Sequence, residues 1–314
     1  MTNHGSTDTT TFSVFGVGVR CDFQSDHGWP AAGPVEVDVF EDFSLSLPAA
    51  RPILRLPLQN PDGGQWIEIH SVGNGTMVVV DAVGAFLLRD KEIVYRLRPG
   101  LPLASLVWQL FGFVFSVWLE LHDRRVFHGA AIELGGCFVG LLGHSGAGKS
   151  TLVAALAQEG ALVLSDDHLV VQLLGGRPTI SRCLPWLKLG PESAVVLGVP
   201  SSSLRLLHSA SAKRRFDLPS AWQGSSRGPL ERILVLARGT ADEARISDPL
   251  PAPDALRLLM RHSSVPRTAQ ALGFSVDRLP VIAQLAAKLP VHRFAYPTGL
   301  VELPRLIAAI KAFI

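Results

Sequence analysis

The chain has 314 residues, 47% of them hydrophobic and 18% charged, a balance that excludes intrinsic disorder and can fill one large core or two smaller ones. A net charge of only +2 offers no general footing for nucleic acid. The three cysteines, Cys21, Cys137 and Cys183, are far apart, odd in number and form no C-x-x-C pair. That argues against a disulfide framework or a zinc site and fits a reducing cytoplasm, the expected location.

Charge is unevenly spread. Residues 1–100 hold 7 Lys and Arg against 12 Asp and Glu, whereas the remainder holds 22 against 15. The N-terminus, MTNHGSTDTTT, is polar and has no basic region followed by an apolar run, so residues 1–10 read as a tail and not as a secretory signal. Residues 11–98 read as mostly β. Ser13 to Phe23 alternates weakly, and VEVDVF (35–40) and WIEIH (66–70) alternate clearly. Further strands are expected at 76–80, 85–88 and 93–97, with loops marked by Pro30, Gly33, Pro48 and Pro61 to Gly64. A β-rich domain spanning 11–100 follows, with a role in scaffolding or substrate presentation, and a second domain spanning 101–314.

Leu101 to Leu121 is nearly uncharged and long enough to span a bilayer. Pro102, Ser105, Gln109, Ser116 and Glu120 interrupt it, and only a few residues separate it from the next strand. A core helix is expected, with no stable membrane insertion. A strand-turn-strand unit over Val126 to Leu142 turns at Gly135-Gly136. Residues 143–150 then read GHSGAGKS, which fits the phosphate-binding pattern G-x-x-x-x-G-K-[ST]. Gly143, Gly146 and Gly148 let the backbone turn tightly, Lys149 reaches the β/γ-phosphates and the Ser150 hydroxyl ligates Mg²⁺. His144, Ser145, Ala147 and Thr151 complete the expected nucleotide-contacting segment. Cys137 to Leu142 leads in as a strand and Ser150 to Gln158 leads out as a helix whose positive end meets the phosphates.

Two apolar runs, 161–164 and 169–174, flank Ser165-Asp166-Asp167-His168. Beyond Gly175 the expected elements are a short helix near 191–196, a strand at 230–237, helices at 253–261 and 278–288, a strand at 291–296 and a final helix at 300–313. The fold class is α/β, a P-loop nucleotide-binding core behind a β-rich N-terminal domain.

A phosphate loop needs a carboxylate to hold Mg²⁺ and orient an attacking hydroxyl. Asp166 and Asp167 follow an apolar strand, at the end where ligands gather in α/β sheets. Neighbouring residues of an extended chain point opposite ways, so the two carboxylates take different roles. A polar turn between strands is the plain alternative. His128 lies 15 positions before Gly143, and Asp166 lies 23 after it. On its own such a histidine is more often a hydrogen-bonded core residue.

The order His-Gly, hairpin, phosphate loop, helix, short strand, Asp-Asp resembles the C-terminal domain of the HPr serine kinase/phosphorylase family over residues 126–173. The resemblance implies an HPr-kinase type of nucleotide core and a serine kinase using ATP or GTP with Mg²⁺. It implies phosphate binding by Lys149, metal binding by Ser150, a general base at Asp166, a metal-steering role for Asp167 and an orienting role for His128. The family's metal-binding Glu in a glycine-rich signature has no counterpart; Glu192, in LGPES, stands at a comparable distance in different surroundings. His144 stands where many members have an acidic residue, so kinase activity alone is expected. Divergent members with a β-rich N-terminal half include kinases of lasso-peptide precursors, so the expected partner is a peptide or small protein with a serine hydroxyl. Relatives of the HPr kinase form hexamers, and no interface signature here decides between a homo-oligomer and a monomer. Lys213, Arg214 and Arg215 are candidates for a charge-stabilising finger or for a solvated loop. The rival readings are a small-molecule kinase, which needs a closed pocket, and a nucleotide-binding regulator or motor ATPase. Transporter ATPases carry an LSGGQ-like signature, which this sequence lacks.

Overall fold

The computed structural model describes residues 9–24, 29, 33–57, 66–206 and 212–314, so residues 1–8 of the expected 1–10 tail, Pro30 and the 61–64 turn lie outside the described residues, whereas Thr10 already belongs to a strand. The chain divides into two units, Met1–His122 with Val265–Ser275, and Asp123–Ser264 with Val276–Ile314.

In the first unit, β1 (Thr10–Val14), β2 (Val17–Cys21), β3 (Val35–Glu41), β4 (Leu54–Pro57), β5 (Trp66–Val72), β6 (Gly75–Val80), β7 (Gly84–Leu88) and β8 (Glu92–Leu97) form one sheet, ordered β1-β2-β3-β8-β7-β6-β5-β4. The β2–β3 and β3–β8 pairs are parallel and the others antiparallel. The weakly alternating 13–23 stretch is split by a hairpin turn at Phe15 and Gly16, both left-handed (φ 56° and 74°). The apolar segment that follows is α1 (Leu103–Gln109), a π turn at Leu110–Val114 and α2 (Phe115–Leu121), broken at Gly112 (φ −93°, ψ −111°). By length and composition it can cross a membrane, but 61% of its most apolar window is buried inside the folded chain. Phe111 and Phe115 pack against Phe12 and Phe15 with ring centroids 5.7 and 5.6 Å apart, and Trp118 Nε1 donates to the Arg89 carbonyl at 2.9 Å. This helix belongs with the β-rich unit, so the division falls at His122 and not at residue 100.

The second unit contains β9 (Arg125–Leu134), β10 (Cys137–Leu142), α3 (Lys149–Gln158), β11 (Leu162–Ser165), β12 (His168–Leu174), β13 (Arg177–Ser181), β14 (Trp186–Leu189), α4 (Pro191–Val196), β15 (Leu204–Leu206), β16 (Arg214–Asp217), β17 (Arg227–Pro229), β18 (Arg232–Arg238), β19 (Arg245–Ile246) and α5 (Ala252–Arg261). The helix α6 (Pro266–Ala271) returns to the first unit; α7 (Ser275–Lys288), β20 (Val291–Tyr296) and α8 (Leu303–Phe313) complete the second. Its main sheet runs β17-β13-β12-β9-β10-β18-β20-β19, with β11 also on β9, and β14, β16 and β15 form a small separate sheet. The central strands β10, β18 and β20 are parallel neighbours, flanked on both sides by antiparallel ones.

Strand periodicity sorts the core into two faces. Val139, Leu141, Leu234 and Leu236 face α3 and α8 through Leu152, Leu156, Leu306 and Ile310. Phe138, Leu142, Ile233 and Val235 face α5 and α7 through Leu259, Ile282 and Leu285. β10 is thus covered on both faces, which is why it reads as a continuous apolar run. Among the strands that sequence reading did not find, β13, β15, β16 and β17 bury few side chains, β15 none, whereas β14 buries Trp186, Leu187 and Leu189 in a run of four residues too short to show a period. They pair through the backbone and leave no hydrophobic period to detect.

Candidate functional site

The loop from Gly143 to Gly148 joins β10 to α3. Gly143 is closely packed: a Cβ there would meet Ala147 Cβ at 3.1 Å and Leu236 Cβ at 3.2 Å, so these neighbours would have to give by a few tenths of an ångström. Gly148 (φ 87°) caps α3 in the left-handed region, and a Cβ on it would project into open space, the space a phosphate needs. Two loop carbonyls are tied from outside: Arg238 Nη1 donates to Gly146 O at 3.0 Å and Tyr296 Oη donates to Ala147 O at 2.5 Å. The Ala147 amide donates within the loop to His144 O at 3.1 Å; with the Gly146 and Ala147 carbonyls tied from outside, the other loop amides can serve an anion.

Lys149 is only 7% exposed, and its Nζ donates to Gly143 O at 2.7 Å, to His144 O at 3.0 Å and to His128 Nε2 at 3.1 Å. Burial pulls its pKa down to about 8, against the attraction of Asp166 and Asp167. Because Lys149 donates to Nε2, the neutral His128 ring carries its proton on Nδ1, which lies 3.4 Å from Asp167 Oδ1. Burial and then Lys149 keep His128 below its ordinary pKa, so the neutral form prevails.

The Asp pair arises from an irregular edge. β11 and β12 follow one another along the same side of β9, with a register slip at Val163/Ser165, and Asp166-Asp167 links them. Asp167 adopts a left-handed backbone (φ 72°), which aspartate tolerates better than most residues. Asp166, 8% exposed, turns to the loop: its Oδ1 accepts from Ser150 Oγ at 2.9 Å and its Oδ2 from the Lys188 amide at 3.0 Å. Burial and the neighbouring Asp167 raise its pKa, with the Lys188 and Ser150 contacts opposing. Asp167 faces a cavity of about 240 Å³ that also contains Lys149, Ser150, Lys188, Glu192 and Lys213. Burial pushes the Asp167 pKa up, but the ion pair with Lys188 Nζ, with His168 and His128, outweighs it and holds the carboxyl well below its usual range.

Most residues singled out from the sequence converge here. His128, Lys149, Ser150, Thr151, Asp167 and Glu192 line one cavity, with Asp166 bonded behind Ser150. His144 differs: its carbonyl serves Lys149, but its exposed side chain belongs to a second cleft. Of the basic triplet, Lys213 lines the cavity, whereas Arg215 stacks on Trp186 at 4.4 Å and pairs with Asp217 at 2.5 Å. Sequence reading missed Lys188, Arg238 and Tyr296. The signal for Lys188 was a lone cation inside the apolar strand Trp186–Leu189.

His168, behind Asp167, is held neutral by burial down to a pKa of about 4, against the attraction of Asp167. Its ordinary value is 6.5, so between these limits the unfolded chain binds the extra proton and stability rises with pH. Urea unfolding from pH 7 down to pH 4.5 is expected to lose on the order of 2 kcal/mol more in the wild type than in His168→Gln. Parallel profiles would refute the assignment.

Among the described residues no three His, Cys, Asp or Glu side chains form a metal-binding group. Mg²⁺ at a phosphate loop asks for less: one hydroxyl, one or two carboxylates, and phosphate and water oxygens. The Ser150–Asp166 pair, a hydroxyl and a buried carboxylate 2.9 Å apart, fits that demand.

No family model matches this chain. The aliphatic sulfonates import ATP-binding protein SsuB of Pseudomonas putida is 29% identical over 205 residues, covering 59% of this chain and 69% of that protein. SsuB 2 of Rhodococcus jostii (strain RHA1) is 34% identical over 144 residues, covering 41% and 54%, and SsuB of Delftia acidovorans is 33% identical over 162 residues, covering 45% and 64%. Among solved structures, the Hpr(Ser) kinase/phosphatase from Coxiella burnetii covers 60% of this chain and 88% of its own at 10% identity and a TM-score of 0.34, too low to identify a shared fold. The loop, its lysine and the carboxylate on its serine make this chain a P-loop nucleotide-binding protein.

Proposed function

We propose that this protein is an ATP- and Mg²⁺-dependent kinase that transfers the γ-phosphoryl group to a serine hydroxyl of a peptide or small protein. One observation carries the reading: the two adjacent carboxylates divide, Asp166 onto Ser150 and Asp167 into the cavity beside His128 and Lys188. A nucleotide-binding module needs the first carboxylate; a hydroxyl acceptor needs the second.

The roles of the pair are the reverse of those the family resemblance implies. Ser150 and Asp166 would hold the metal, which would supply neutralisation of phosphate charge when bound. Lys149 leaves the loop carbonyls for those phosphates. Asp167 accepts a hydrogen bond from the acceptor hydroxyl and aims it at phosphorus. The acceptor O–P bond forms as the bond to the β,γ-bridging oxygen breaks; ADP departs and the hydroxyl proton moves to Asp167 Oδ. Its low pKa suits a late proton transfer in a loose transition state, where orientation matters more than basicity. His128 links Lys149 to Asp167 and keeps both in register. Leu300, Leu303 and Leu306 supply an apolar wall in the same cavity for the nucleotide base.

A second reading is an ATPase that drives import, favoured by the likeness to import ATP-binding proteins. Radiolabelled ATP with candidate precursor peptides separates the two. The kinase reading expects label on a peptide serine, one ADP per phosphoserine. Release of inorganic phosphate with no labelled acceptor, whatever peptide is supplied, would sink it.

A further inference from the structure

On the other side of the phosphate loop lies a second cleft of about 450 Å³ that the reaction described above does not use. It shares Ser145, Gly146, Ala147 and Arg238 with the nucleotide cavity and is otherwise distinct. Its charged side chains are Arg238, Arg261 and Arg293, all exposed, and none of the described residues lining it is acidic. His144 and His262 stand together between them, ring centroids 5.0 Å apart. His262 is 4% exposed and, pushed down to about 4 by burial and then by His144 and Lys149, stays neutral at physiological pH, so the arginines set the charge. Val235, Leu236 and Leu258 give the cleft an apolar part.

Two features connect this cleft to the chemistry. The His262 carbonyl accepts from the His128 amide at 2.7 Å, so its wall is bonded directly to the residue that orients Asp167. Its other wall is the first half of the phosphate loop. We propose that this cleft seats an acidic segment of the acceptor peptide, carboxylates on Arg261 and Arg293 and apolar side chains on Val235 and Leu258, while the serine reaches Asp167. The term acceptor rests on the kinase reading; the peptide class rests on the cleft. Guanidinium forks match carboxylates in a bidentate way, and three of them with no opposing acid would repel a basic peptide. The exposed rim fits an extended chain better than a small metabolite, which is held by enclosure.

Three fluorescein-labelled nine-residue peptides test it, each with a central serine flanked by Glu, Gln or Lys, titrated by anisotropy with the full-length protein, Mg²⁺ and a non-hydrolysable ATP analogue. The Glu peptide is expected to bind about tenfold tighter than the Gln peptide, and the Lys peptide weakest. Arg261→Ala/Arg293→Ala is expected to abolish that preference while ATP-analogue affinity stays within about twofold, which also reports an intact fold; Arg261→Lys/Arg293→Lys is expected to restore part of it. Equal binding of the Glu and Gln peptides, a preference that survives the double alanine variant, or displacement of the peptide by the ATP analogue would each overturn the proposal. Arginine-dependent binding without transfer from ATP supports the cleft and removes only the kinase reading. Transfer without charge preference does the reverse.

Discussion

Asp167→Asn is expected to lower phosphoryl transfer by about 10²–10⁴-fold with ATP affinity nearly unchanged. The asparagine keeps the size and one acceptor oxygen, but it cannot take the hydroxyl proton and leaves the Lys188 ammonium without its carboxylate. The phosphate loop, including the Lys149 contacts to Gly143 and His144, is untouched. Asp166→Asn has a different signature. It weakens the carboxylate partner of Ser150, so the Mg²⁺ concentration for half-maximal rate is expected to rise by about tenfold or more, with turnover partly recovered at high Mg²⁺. Initial rates against Mg²⁺ for both variants decide the matter. If Asp166→Asn is dead at saturating Mg²⁺ and Asp167→Asn is active, the base is Asp166, as the family resemblance implies.

Lys149→Ala is expected to weaken ATP binding by about tenfold or more and to cut any turnover by about 10²–10³-fold, because it removes a buried cation aimed where phosphate charge develops. Lys149→Arg is not expected to rescue it. The site gives Nζ two carbonyls and one imidazole nitrogen within 3.1 Å, a fit for a compact ammonium and not for a planar fork. Calorimetric titration with the non-hydrolysable analogue, alongside the rate, separates the binding loss from the transfer loss. Wild-type affinity and turnover in Lys149→Ala would remove the phosphate-loop reading and everything built on it.

Parts of the fold were legible because they carry strong local signals. β10, α3 and the loop between them combine an apolar run, left-handed glycines and a helix start within a short stretch. The alternation in β3 and β5 marked half-covered strands. By contrast, β13, β14 and β16 are short and pair with distant segments, Arg227–Pro229 with β13 and Arg214–Asp217 with β14, which no local period reveals. The helix at 103–121 was legible as apolar, but not its break at Gly112 or its allegiance to the β-rich unit, since both depend on aromatic partners far back in the chain, Phe12 and Phe15.

The sequence by itself determined that this chain binds a phosphate and which residues crowd the site. GHSGAGKS carries its geometry in its own glycines; His128 lies on β9, which the hairpin pairs with β10, and Asp166-Asp167 lies in the link between β11 and β12, which run beside β9. Only the tertiary structure shows which carboxylate meets Ser150 and which faces the cavity. Alternation along a strand says that Asp166 and Asp167 differ; the register slip along β9 and the left-handed turn at Asp167 say which one meets Ser150. The partner that sets the charge of Asp167, Lys188, comes from β14, which belongs to another sheet, and the arginines of the second cleft come from β18, α5 and β20. Such juxtapositions are made by long-range packing, and no spacing in the chain encodes them.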